Sequence, residues 1–469
     1  MLFCSMTFIY VFLPIVCSIY LIVRSEMRNY VLLGASLIFY AWGEPKFLAI
    51  MLLTILLSYF SALIIDYYKN KITKLLFLFL AIFANLGILC YFKYFNFLLE
   101  NINLLFKTNI DFIKVVMPIG ISFYTFQAIS YIVDVYREDV KAQKDFYKLA
   151  LFISLFPQLI AGPIVKYHDI NEQIDERHIE FNNVIYGIKR FIIGLSKKML
   201  IANTAGEIAD KVFAQQADAF SPGIAWIGAL SYTIQIFFDF SGYSDMAIGL
   251  GAIFGFKFKE NFNYPYISKT ITEFWRRWHI SLSTWFKEYL YIPLGGNKKG
   301  KYFTYLNLFI VFLVTGIWHG ATWSFVVWGL WNGLFIIVER FFGLNKEKEY
   351  SLIKKILLHL YCILVFVIGW VIFRAPDLSY AVKFICNMFA LIPHEHGTYK
   401  LVYYLDVIPI TMIIIGILCS LPIFKNLHIK AENSSIGIWI YNAWIYLLLL
   451  LSTVIIATAT YNPFIYFRF

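Results

Sequence analysis

The stretch YLNLFIVFLVTGIWHGATWSFVVWGLWNGLFIIVE, Tyr305 to Glu339, decides the fold. Two apolar runs lie on either side of His319, and a membrane-crossing helix needs about 20 mostly apolar residues. An ionisable group at membrane depth is costly, so it faces a partner or a water-filled cavity. An imidazole in low dielectric is expected to be neutral, because desolvation penalises the charged form. A neutral imidazole can take a proton, which makes His319 a candidate general base. Gly316 and Gly320 would let another chain or a ligand approach closely, and Trp318 and Trp323 would supply rigid walls. The competing reading is a histidine tied to a neighbouring helix by a hydrogen bond.

The rest of the chain agrees with a membrane setting. It has 469 residues, 60% hydrophobic and 15% charged, with mean hydropathy +0.69, whereas soluble domains carry roughly a quarter charged residues. The class is all-α and polytopic. Apolar runs near 4–23, 30–43, 47–65, 75–91, 117–136, 147–163, 223–253, 303–318, 322–342, 354–374, 401–422 and 436–460 predict about eleven transmembrane helices, with interfacial or re-entrant helices between them. No linker or internal repeat divides the chain, so a single membrane domain over 1–469 is expected. The net charge of +11 sits in short loops between apolar runs, which orients a membrane protein and argues against nucleic acid. Arg24 and Arg28 in the first loop, and Lys69, Lys71 and Lys74 in the third, put those loops in the cytoplasm and the N-terminus outside. Met1–Val23 reads as a retained first span. Six scattered cysteines without a CxxC pair read as free thiols in apolar runs.

Two segments do not look like spans. In Val184–Leu200, Arg190 and Lys197 share one face of an amphipathic helix, which suits the membrane surface. Between 256 and 301, basic residues from Lys257 to Lys301 outnumber Glu260, Glu273 and Glu288 and mix with tryptophan and tyrosine. That composition fits a cytoplasmic interface and equally an entrance for an anionic donor. Within it, EFWRRWHISLSTWF (Glu273–Phe286) read as one helix puts Arg276 a turn from His279. Arg276 and Arg277 beside an imidazole would suit a phosphate or carboxylate, or simply lipid headgroups. Polar residues in DFSGYSDMAIGLG (Asp239–Gly251), including Asp239 and Ser241, and Gln158 in FPQLIAGPIVKYHDI (Phe156–Ile170) are tolerated where helices line a cavity. Helix kinks account for them as well. No GxSxG, P-loop or HExxH occurs, and His394 and His396 around Glu395 do not make a zinc site alone.

Taken together, FYAWGEPKFL (Phe39–Leu48), MPIGISFYTFQAISYIVDVYR (Met117–Arg137), FPQLIAGPIVKY, DFSGYSDMAIGLG, FWRRWHISLSTWF, YIPLGG, GIWHGATWSFVVWGLWNG and the terminal NPFIYFRF resemble the membrane-bound O-acyltransferase family, in its alginate O-acetylation branch. The resemblance covers about residue 30 onward. It implies a catalytic histidine at His319, a second functional position at His279, and spans around a thinned centre with a funnel. It also implies substrate contacts at Arg276, Arg277, Trp278, Trp318, Gln158, Asp239 and Ser241, with His279 orienting a thioester carbonyl or its oxyanion.

The activity so implied is O-acetylation of an extracytoplasmic polysaccharide from a cytoplasmic thioester. Acetyl-CoA or an acyl carrier would be the donor, with no bound cofactor or metal. An extracytoplasmic esterase-like acetyltransferase would be the partner, and the cell membrane, with its lipid, the location. D-alanyl transfer to teichoic acid from a carrier protein is the sibling activity. A glycan transporter or flippase is the alternative from another class.

Overall fold

Helix is the regular backbone of the computed structural model, and no strand occurs among the described residues, 1–113, 115–160, 162–345, 349–393, 401–404, 406–424, 434–458 and 465. In hydrocarbon every N–H and C=O must be satisfied within the chain, and helices do this locally. His394, Glu395, His396, His428 and most of the terminal NPFIYFRF lie outside the described residues.

In chain order the helices are α1 (Leu13–Ile22), α2 (Arg28–Ala41), α3 (Leu48–Tyr67), α4 (Lys71–Phe106), α5 (Ile121–Tyr136), α6 (Phe146–Ser154), α7 (Phe156–Leu159), α8 (Tyr167–Asp175), α9 (Phe181–Ser196), α10 (Asn203–Phe213), α11 (Pro222–Ile253), α12 (Ile271–Arg277), α13 (Ile280–Phe286), α14 (Lys301–His319), α15 (Trp323–Phe341), α16 (Leu352–Arg374), α17 (Leu378–Met388), α18 (Val407–Cys419) and α19 (Ser435–Thr458). Among the described residues, seven helices are long and apolar enough to cross a bilayer: α3, α4, α11, α14, α15, α16 and α19. The segment with α1 and the helix α18 are shorter apolar helices. The apolar run at 147–163 is broken into α6 and α7. Leu155 between them leaves the helical region at ψ 110°, and Pro157 sits in the first turn of α7, where its missing N–H leaves no helical bond unmade.

The chain forms two compact units, Met1–Phe191 with Ser244–Lys259, and Ile192–Tyr243 with Glu260–Phe469. In the first, α3, α4 and α5 pack together and α2 packs on α6. Its core is aromatic: Phe12 meets Phe156 edge-on at 5.6 Å, and Phe156 meets Phe254 at 5.7 Å. Gly120 has φ +75°, and a Cβ there would lie 2.7 Å from the Leu159 carbonyl oxygen, so only glycine fits. Arg177 donates to the Tyr20 hydroxyl (2.9 Å) and to Asn29 (2.7 Å), closing the unit around buried polar groups.

Arg190 does not stand free at a membrane surface. It reaches Asp245 at 2.6 Å.

In the second unit α14 and α15 form an antiparallel pair in close contact. Gly316 faces Gly329: a Cβ on Gly316 would come within 3.1 Å of the Gly329 Cα. Small residues at such crossings let helix backbones approach closely, as in membrane helix pairs generally. The approaching chain at Gly316 is thus α15 itself, and at Gly320 it is the Phe325 ring. Lys198 lies in a π-helical turn, Lys197–Ala202, that follows α9. Such a turn inserts an extra residue and shifts the helix register. Lys198 is consequently buried and pairs with Asp239 at 2.7 Å, where a surface helix was expected. Asn203 accepts a second bond from the Lys198 ammonium at 2.7 Å.

Candidate active site

His319 ends α14 and is 7% exposed. Three rings enclose its imidazole edge-on: Trp318 at 4.9 Å, Trp328 at 4.8 Å and Phe373 at 5.3 Å. Trp328 comes from α15 and Phe373 from α16, so the surroundings of this histidine are assembled from three helices. Trp323 opens α15 and is exposed.

The helix read through Glu273–Phe286 is broken in two. α12 ends at Arg277, Trp278 is extended, and His279 has φ +43°, ψ +54°. Left-handed backbone costs a residue with a Cβ about 1–2 kcal/mol, and such strain persists where the surroundings over-determine it. Here they do. The Asn261 carbonyl oxygen accepts from the Ile280 N–H at 2.9 Å. The Asn261 side-chain Oδ1 accepts from the Ser281 N–H (3.1 Å) and hydroxyl (2.8 Å), and lies 3.2 Å from His279 Nδ1. Asn261 therefore caps α13 from outside the helix, a role His279 does not fill. His279 is 1% exposed, and its Nε2 is buried with no hydrogen-bond partner among the described residues. Burial lowers its pKa to about 3.

The sharp turn separates Arg276 from His279, so the one-turn relation expected on a single helix is absent. Arg276 is exposed. Arg277 is spent within the fold: it pairs with Glu273 at 2.9 Å and donates to the Asn263 carbonyl at 3.2 Å. Trp278 is buried, stacked on Phe274 at 5.5 Å and against Trp370 at 4.8 Å. Asp239 carries the buried ion pair with Lys198. Ser241 is buried, and its hydroxyl has no partner among the described residues. Gln158 belongs to the other unit, where its amide donates to the Phe152 carbonyl at 2.6 Å.

His319 and His279 sit at two ends of one aromatic array. Ring contacts run from His319 through Trp328, Trp370, Trp278 and Phe262 to His279. Beside this array is a cavity of about 240 Å3. Its apolar lining includes Trp275, Phe286, Val311 and Phe312. Its polar lining includes Lys287, Tyr291, Asn297, Thr315 and Arg340. Thr315 lies one helical turn before His319 on α14. Arg340 holds Asn297 at 2.9 Å.

Several of these residues escape sequence reading. Asn261, Trp370, Phe373 and Arg340 meet their partners only through tertiary contacts. Glu339 is different, because an acid ending an apolar run is itself conspicuous. It is fully buried and accepts from the Thr272 N–H (2.8 Å), the Thr272 hydroxyl (2.6 Å) and the Tyr361 hydroxyl (3.2 Å). It also accepts from the Ile271 N–H. A carboxylate at a helix N-terminus satisfies otherwise orphaned donors, so Glu339 fixes where α12 starts.

A model of the membrane-bound O-acyltransferase family matches residues 141–349. A protein of Pseudomonas putida named as a probable alginate O-acetylase is 39% identical, with 100% of both chains covered. A peptidoglycan O-acetyltransferase of Helicobacter pylori is 35% identical over 100% of this chain and 98% of its own. A teichoic acid D-alanyltransferase of Bacillus subtilis is 32% identical over 48% of this chain and 59% of its own. Similarity that runs the full length, with apolar helices of spanning length, makes one conclusion plain: the chain belongs to the membrane-bound O-acyltransferase family and is a multi-pass membrane O-acyltransferase.

Proposed function

We propose that this enzyme moves an acetyl group from a cytoplasmic thioester, acetyl-CoA, to hydroxyls of a polysaccharide outside the cell membrane. The O-acetylation relatives of Pseudomonas putida and Helicobacter pylori match over the whole chain, whereas the D-alanyltransferase of Bacillus subtilis matches about half of it. The observation that carries the reading is the position of His319. It is buried among three aromatic rings, one turn along α14 from Thr315, which lines the 240 Å3 cavity. That volume falls below the roughly 300–1,000 Å3 of a site for a whole drug-sized ligand. It would seat the acyl-thioester arm and leave a nucleotide outside, near Lys287 and Arg340. These cations take the role expected of Arg277, which is occupied elsewhere.

In the proposed step His319 accepts the proton of the acceptor hydroxyl. The oxygen attacks the thioester carbonyl carbon, the new C–O bond forms, the C–S bond breaks, and the departing thiolate takes the proton back. Excluding water from this site strengthens each electrostatic contact and suppresses hydrolysis. The chain would lie in the cell membrane with its N-terminus outside, as Arg24 and Arg28 favour. A separate extracytoplasmic esterase-like acetyltransferase would complete delivery to the polymer. The test is His319→Ala in cells, with acetyl ester on envelope glycans measured against protein level in the membrane. Ester lost at an unchanged protein level is the expected result. Full ester content would overturn the assignment.

A further inference from the structure

The Ser281 N–H, the Ser281 hydroxyl and the Nδ1 of His279 converge on the side-chain oxygen of Asn261, and the first of them settles a protonation state. The Ser281 backbone N–H can only donate, so the Asn261 atom facing it at 3.1 Å is the oxygen and not the amide nitrogen. The same oxygen takes the Ser281 hydroxyl at 2.8 Å and lies 3.2 Å from His279 Nδ1. Two lone-pair atoms would repel at that distance, so Nδ1 carries the hydrogen. A neutral imidazole has one N–H, which leaves Nε2 as the bare acceptor nitrogen. Nε2 is buried and lacks a partner among the described residues. An orphaned buried acceptor is unfavourable, so the group that fits this position is a ligand that donates a hydrogen bond.

We infer that Asn261 is a positioning residue that locks His279 as an Nδ1–H tautomer, and that His279 Nε2 receives a hydroxyl of the acyl acceptor. This rests on the acyltransfer reading above and reverses one expectation of the sequence. A histidine that orients a thioester carbonyl or an oxyanion must offer an N–H, and here the N–H is already committed to Asn261. Protonation does not rescue that role, because burial holds the ring neutral far below working pH. Among the described residues, the hydrogen bonds and ring contacts of His279 are with Asn261, Ser281, Phe240 (4.5 Å, edge-on) and Phe262 (6.4 Å). None of these is charged, so nothing there stabilises an imidazolium.

The inference is tested in two arms on the full-length chain. In the first, 15N-histidine-labelled protein in lipid is studied by solid-state NMR, with His279→Gln assigning the signal by difference. A single Nδ1–H tautomer with a bare Nε2 is expected in wild type and in Asn261→Asp, which keeps the accepting oxygen. A mixture of tautomers is expected in Asn261→Leu. An Nε2–H tautomer in wild type overturns the inference. In the second arm, membranes carrying each variant transfer label from acetyl-CoA to de-esterified alginate as the acceptor probe. Asn261→Leu and His279→Gln should each raise KM for the glycan about tenfold or more and leave KM for acetyl-CoA unchanged. Their double variant should be no worse than His279→Gln alone. Asn261→Asp should retain the low glycan KM near pH 8 and lose rate as pH falls, since a carboxylate beside Nδ1 favours the charged ring. A raised KM for acetyl-CoA with the glycan KM unchanged overturns the assignment to the acceptor side. Wild-type membranes that put label on neither the glycan nor any membrane or secreted protein would instead sink the acyltransfer reading, and the NMR arm would still decide the tautomer.

Discussion

Replacing Gly329 by alanine should slow acyl transfer by about tenfold to a hundredfold. A Cβ there would sit 2.8 Å from the Gly316 Cα and 2.9 Å from its nitrogen, with the Phe312 carbonyl oxygen nearer still. All three are backbone atoms, so no side chain can swing aside. Ordinary contact begins near 3.4 Å, and α14 must retreat from α15 by about 1 Å to clear the Phe312 carbonyl. His319 lies three residues beyond Gly316, and its ring packs on Trp328, the neighbour of Gly329. A misplacement of 1 Å at a reacting group costs roughly a hundredfold in rate, and overpacking costs about 1–3 kcal/mol of stability. The assay is label transfer from acetyl-CoA in membranes, normalised to the amount of enzyme, with thermal unfolding in detergent alongside. Gly34→Ala on α2 is the control, because a Cβ there meets nothing within 4 Å. Wild-type rate and melting for Gly329→Ala would refute the idea that this helix crossing sets the position of His319.

Removing one partner of a buried ion pair costs about 3–5 kcal/mol, while apolar replacement of both is near neutral. Asp239→Asn should therefore cut the folded yield sharply, and Lys198→Met with Asp239→Leu should recover most of it, read by size-exclusion monodispersity. Charge removal at the cavity, Lys287→Gln with Arg340→Gln, should raise the KM for acetyl-CoA several-fold and weaken its dependence on ionic strength; an unchanged KM and salt response would remove these cations from the donor. His168 lies 2.8 Å from Asp134, and that hydrogen bond raises its pKa above the ordinary value. A group whose folded pKa is raised adds stability that is full below its unfolded pKa and lost as pH rises through the folded one. Melting temperature should thus decline from about pH 6.5 upward in wild type, and His168→Gln should flatten that decline.

The broken helix around His279 shows why part of the site stays hidden in the sequence. Residues Ile271–Phe286 have helical spacing throughout, and no glycine or proline marks the break. The break exists because Asn261, eighteen residues upstream, takes the N-terminal donors of α13 and holds His279 left-handed. The same limit applies at Lys198. The seven-residue spacing of Arg190 and Lys197 promises a surface face, but the π turn that follows α9 holds Lys198 inward against Asp239. Glu339 was legible in principle, since an acid inside an apolar run is conspicuous, yet its purpose appears only with the start of α12 beside it.

Hydropathy is a sum over neighbours in the chain, and a single titratable group in an apolar run is visible without any partner. An all-helical, multi-pass membrane protein with a histidine, His319, in an apolar run is therefore legible in the sequence alone. Which ring faces which, which cation is already paired, and which nitrogen of His279 is bare depend on groups far apart along the chain. Those are properties of contacts, and no periodicity encodes them, so only the folded structure decides them.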